Sequence, residues 1–193
     1  MNDPVRNPYL NREAAASSPD QLRGFVRTNQ IIWFALIQGT VLITAILGYM
    51  SFTSEPLAER PPDAMPAGLG DYVLPMVGVT FGVGAIVVSL VLTRMLRQTA
   101  INKFAACNES VQRPVDENVP LTHAVTQLLS ASSAMSIVGM AIPEGAAVLN
   151  AVLMLIDGQP LIHLCVIIVC VAAIAVQFPT TQKKLDLIEA ASR

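Results

Sequence analysis

Residues 133–156 read SAMSIVGMAIPEGAAVLNAVLMLI. A membrane span takes about 20 predominantly apolar residues, and this run is long enough to supply them. One carboxylate, Glu144, sits near its middle between Pro143 and Gly145, and no other acidic residue lies deep inside an apolar run. The stretch predicts a transmembrane helix carrying one intramembrane acid. Three further apolar runs predict helices that surround it.

Composition supports that class. The chain has 193 residues, 53% hydrophobic and only 13% charged, where soluble domains carry about 25% charged residues. The length suits one domain. A net charge of -2 gives no basis for binding nucleic acid. The charges avoid four segments, which predict spans over 31–52, 72–96, 133–156 and 161–178. The expected fold is therefore all-α integral membrane, with a membrane domain over 31–179. Trp33 and Tyr49 lie near the two ends of the first span and suit the interfacial belts.

The flanks are polar. Residues 1–30 form an N-terminal tail, with 1–18 expected to be disordered and a helix starting at Ser18-Pro19-Asp20. About thirty polar residues ahead of the first span argue against a cleavable signal peptide. Residues 53–70 form a loop rich in proline and acid, and 97–120 a polar segment whose helix is expected to run to Arg113-Pro114. Asp157-Gly158-Gln159-Pro160 makes a short turn, and the tail 180–193 suits a surface helix.

Eleven of the twelve Lys and Arg residues fall in the N-terminal tail, the segment from Arg94 to Arg113 and the C-terminal tail; Arg60 is the exception. The positive-inside rule then predicts cytoplasmic termini and a cytoplasmic 97–120 segment, in a bacterial-type inner membrane. Aligning Gln38-Gly39 with Glu144-Gly145 also lays ALIQGTVLITAIL (35–47) over AIPEGAAVLNAVL (141–153). The chain reads as two tandem helical hairpins related by a parallel internal repeat.

Glu144 is the main candidate for chemistry. A carboxyl group at the bilayer centre costs roughly 2.5–3.5 kcal/mol on insertion scales, so it is expected to be protonated, and such groups commonly mark ion or proton sites. Pro143 removes a backbone donor and frees the carbonyl of Gly139. Gln38 and Asn150 are the polar side chains expected to complete an ion site with Glu144. The structural alternative is a protonated Glu144 that fixes how the hairpins pack. Gly78, Gly82 and Gly84 in the second span, with Ser136, Gly139, Pro143 and Gly145 in the third, predict close helix packing.

His123 and His163 fall at opposite ends of the membrane domain, roughly 30 Å apart, and are expected to be interfacial. Three cysteines with no CxxC spacing give neither a disulfide framework nor a zinc site. No metal, cofactor or catalytic constellation is apparent, so no enzyme is expected.

The segment IPEGAAVLNAVLMLI (142–156), with the glycines of the second span, resembles the carboxylate hairpin of the rotary ATP synthase c subunit, the proteolipid. That resemblance implies that Glu144 binds a proton or sodium ion and that Gly78, Gly82 and Gly84 form a packing face. The whole chain also resembles uncharacterised bacterial four-helix inner-membrane proteins. The leading expectation is a non-enzymatic multi-pass membrane protein. Its partners would be the lipid bilayer and either further copies or another membrane protein, bound through small-residue helix faces. A proton- or cation-handling proteolipid-like subunit and a small-molecule carrier are the alternatives.

Overall fold

The computed structural model describes residues 18–53, 72–107, 111, 115, 117, 121–157 and 159–192. The expectations for 1–17, for most of the 53–70 loop and for Arg113-Pro114 lie outside the described residues. The described residues are helical, with no strand. The elements are α1 (Ser18–Thr53), α2 (Val73–Ala106), α3 (His123–Ile156), α4 (Pro160–Val176) and α5 (Thr181–Ala191).

Local chemistry sets several ends. Asp20 sits in the first turn of α1, where a negative charge suits the helix dipole. Thr122 accepts the Val125 N–H at 3.3 Å and so caps α3. Pro160 opens α4, where its missing N–H costs nothing. Thr180 caps α5 by accepting the Lys183 N–H. Helix α2 ends at Ala106, before the expected Arg113-Pro114.

Helices α1, α2 and α3 are each long and apolar enough to cross a membrane. Helix α4 has 17 residues, about 25 Å at 1.5 Å per residue. It supplies a fourth crossing only when taken together with α5, from which it bends by 65°.

The chain divides into two compact units. One comprises Met1–Gln30, Leu96–Met135 and Pro179–Arg193; the other comprises Ile31–Met95 and Ser136–Phe178. In the first, Leu22 of α1, Phe104 of α2, Val125 and Leu129 of α3, and Leu187 and Ile188 of α5 form a buried core. The start of α1, the end of α2, the start of α3 and α5 are thus parts of one packed body. In the second unit, Ala85 of α2, Ala146, Ala147 and Ala151 of α3, and Ile167 and Cys170 of α4 form the core. Such small side chains bring helix backbones close, as lipid-embedded helices require. The outer faces carry Phe34, Leu42, Tyr49, Phe81, Val88 and Leu90, all more than half exposed. Water would penalise that apolar surface, and hydrocarbon does not.

Helix α3 runs through Pro143. The Gly139 carbonyl freed by the proline accepts the Ser89 hydroxyl of α2 at 2.6 Å and the Gln177 amide, at the end of α4, at 3.3 Å. Trp33 of α1 donates to the Ile174 carbonyl at 3.0 Å and packs edge-on against Phe178. Further along, Ser51 of α1 donates to the Met154 carbonyl at 2.9 Å. These bonds set α1 parallel to α3 within this unit.

Among its described residues, the first unit buries one cation. Lys184 of α5 is 3% exposed and donates to Ser132 Oγ at 2.8 Å and Ser133 Oγ at 3.4 Å. Asn29 of α1 donates to Ser133 as well. No carboxylate faces the ammonium among the described residues. Burial without a counter-charge pulls its pKa down from 10.5 to about 8. The folded chain releases this proton near pH 8, whereas the unfolded chain holds it to about 10.5, so unfolding takes up a proton between those values. Stability is therefore expected to rise from pH 8 to pH 10.5, by at most about 3.5 kcal/mol at about 1.4 kcal/mol per unit. In Lys184→Met this slope should vanish, as unfolding curves across that pH range in detergent would show.

Candidate functional site

The membrane-type unit has three features that bear on function: Glu144, a groove between α2 and α3, and a buried polar cluster where α3 meets α4.

Glu144 is half-buried. Met140, Ala147 and Ala151 on its helical face are fully buried, whereas Ala141 and Gly145 are exposed. Glu144 therefore marks the border between the packed side of α3 and its open side. It makes no hydrogen bond within the chain among the described residues. The Gly139 carbonyl expected beside it is instead occupied by Ser89 and Gln177.

The structure does not bring Gln38, Glu144 and Asn150 together. Gln38 is exposed on the outward face of α1. Asn150 is fully buried, and its hydrogen bonds go elsewhere. Its amide donates to the Gly78 carbonyl of α2 at 3.2 Å and to the Ala146 carbonyl at 2.9 Å. Its Oδ1 lies 3.0 Å from His163 Nδ1.

His163 is fully buried within the chain. Its Nε2 lies 3.0 Å from Asp157 Oδ2, and the Asp157 side chain is only 5% exposed. The two carbonyls taken by the Asn150 amide orient its oxygen toward the ring, so His163 Nδ1 must carry a hydrogen and donate it. The Nε2–Oδ2 contact then holds one further proton, on either the ring or the acid. Only three residues separate Ile156 from Pro160, so the end of α3 and the start of α4 stay close enough for this contact. Sequence reading missed it because spacing alone does not say which face of α4 His163 occupies.

The glycines divide into two groups. A Cβ at Gly78 would stand 2.5 Å from Asn150 Oδ1 and 2.8 Å from the His163 ring. One at Gly82 would strike Val166, and one at Gly139 would stand 2.7 Å from Gln177 Oε1 and 2.8 Å from Thr93 Oγ1. These three serve packing inside the chain, and Pro143 is buried with them. Gly84 and Gly145 have nothing within 4 Å. They line an open apolar groove of about 740 Å³ between α2 and α3, with Met76, Phe81, Val88 and Ala141 on its walls. Ser136 is half-buried on α3.

No protein-family model matches the chain, and neither a curated protein nor a solved structure shows significant similarity to it.

The cluster and the groove predict opposite responses to added volume. Gly78→Ala should destabilise by about 1–3 kcal/mol through overpacking, whereas Gly84→Ala should change stability by less than about 0.5 kcal/mol. His163→Leu should cost about 3–5 kcal/mol, because it strands Asp157 in a buried site. Adding Asp157→Asn should recover part of that loss. Unfolding in mixed micelles with increasing dodecyl sulfate measures all four.

Proposed function

We propose that this chain is a non-enzymatic, four-span protein of a bacterial-type inner membrane that associates with itself through the small-residue face of α2 and α3. Both termini and the 97–120 segment lie on the cytoplasmic side, α4 makes the fourth crossing, and α5 belongs to the cytoplasmic C-terminal tail. The paired hairpins reflect an internal repeat that matches Gln38-Gly39 with Glu144-Gly145.

The observation that carries this reading is the unfilled groove at Gly84 and Gly145, on a helix whose Glu144 makes no hydrogen bond among the described residues. A protonated acid facing hydrocarbon alone forfeits its hydrogen bonds. A second helix packed on the open side of α3 would relieve that cost, and glycine and alanine let it approach.

The half-exposed position of Glu144 also favours a second reading, in which it loads and releases a proton or sodium ion in the manner of a proteolipid. A carrier built on Gln38, Glu144 and Asn150 has less support, because those side chains occupy three separate settings.

Native mass spectrometry in mild detergent, with dicyclohexylcarbodiimide labelling, separates the readings. This reagent attacks protonated carboxyls in apolar surroundings. Self-association predicts a defined oligomer in which Glu144 labels several-fold less than in the dissociated monomer. Ion handling predicts labelling that falls with sodium or rising pH at constant oligomeric state. A monomer in lipid nanodiscs at all concentrations would exclude self-association.

A further inference from the structure

Lys184, the buried lysine of the first unit, touches two serines of α3, Ser132 Oγ at 2.8 Å and Ser133 Oγ at 3.4 Å. Both serines are half-buried, whereas Lys184 is buried, so the amine lies behind the hydroxyls. The carboxylates on the described helices of this unit are Asp20 of α1 and Asp186 and Glu189 of α5, and none pairs with the amine. Burial without a counter-charge brings its pKa to about 8, so half of it is neutral there.

The two serines differ in what their hydrogens do. The Ser133 hydroxyl donates to the Leu129 carbonyl at 3.0 Å and accepts the Asn29 amide at 3.1 Å. Its single hydrogen is committed, so toward Lys184 it acts only as an acceptor. A neutral amine has two N–H groups and one lone pair. One N–H donated to Ser133 leaves the lone pair for the Ser132 hydroxyl, at the shorter of the two contacts. A hydroxyl, a base within hydrogen-bond reach and a third group that orients the base make an activated nucleophile. Ser132, Lys184 and Ser133 fill these places, and serine–lysine pairs are a known variant of the arrangement.

We infer that Ser132 is an acylation site whose hydroxyl is activated by Lys184, and that the acyl donor is a fatty acyl thioester. This goes beyond the proposed function and does not depend on self-association. The position of Ser132 favours that donor. The apolar run of α3 starts at the next residue, so Ser132 stands where the chain enters hydrocarbon. A donor held in the bilayer by its acyl tail presents its thioester carbonyl at the same boundary. Ser132 Oγ attacks that carbonyl carbon, and Lys184 Nζ takes the hydroxyl proton. The C–S bond then breaks and the proton passes to the departing thiolate, leaving an ester on Ser132 and a free thiol. Burial of Lys184 keeps water from the base, so the ester is not hydrolysed in turn. The chain accepts the group and keeps it, without turnover.

The test uses the full chain in lipid nanodiscs, with Cys107, Cys165 and Cys170 replaced by alanine so that no thiol takes the label. The chain is incubated with palmitoyl-coenzyme A bearing a terminal alkyne, and mass spectrometry locates the product. The expected product is one acyl ester, at Ser132, formed faster as the pH rises through about 8 and at a level rate above it. Lys184→Met should lower the rate by about 100-fold or more while circular dichroism stays unchanged. Ser133→Ala removes an acceptor that favours the ammonium, so the midpoint of its pH profile should fall below that of the parent. The location of the label tests the site in the parent chain alone. No label, label on the Lys184 amine, or label spread over several serines overturns the assignment. A folded Lys184→Met chain that labels as fast as the parent overturns the activation, and an unmoved midpoint in Ser133→Ala overturns its orienting role.

Discussion

The carbonyl of Gly139 is the constraint on which the membrane-type unit turns. Pro143 takes away its helical donor, and hydrocarbon offers no water to replace it. Ser89 from α2 and Gln177 from the end of α4 take up the two vacant positions. Three helices must therefore meet at one level, and residue 139 must be small for them to do so, since a Cβ there would strike Gln177 and Thr93. The end of α4 is drawn in by the same contact. Trp33 of α1 then binds the Ile174 carbonyl one turn away. A single proline thus propagates into the arrangement of all four helices.

The other end of this unit obeys the same rule with different groups. Asn150 spends its amide on two backbone carbonyls and turns its oxygen to His163, which in turn meets Asp157. The cluster holds α2, α3 and the start of α4 together, and Gly78 leaves room for it. Between these two levels lies Glu144, the one carboxyl group among the described residues of this unit without an internal partner. A chain that satisfies polar atoms above and below but leaves this one open directs attention to what lies outside the chain.

The first unit follows water-like rules. Its core is built from large side chains such as Leu22, Phe104 and Leu129, in contrast to the alanines of the second. Lys184 is its exception, a buried ammonium held by serine hydroxyls and no carboxylate. Such a group folds at a cost while it is charged, so the stability of this unit depends on pH in the alkaline range.

By itself, the sequence determined the helical class, the long apolar helices and the acid at Glu144, because hydropathy and length are properties of a segment alone. It also exposed the freed Gly139 carbonyl, which follows from a proline four residues on. Only the tertiary structure decided where those groups turn. It gave the carbonyl to Ser89 and Gln177, closed His163 into a cluster with Asn150 and Asp157, and separated Gln38, Glu144 and Asn150. It also sorted glycines of identical local context, Gly78 and Gly82 toward neighbours and Gly84 toward an open groove. The reason is rotational: each residue turns a helix by about 100°, and which direction faces a neighbour depends on helices distant in the chain.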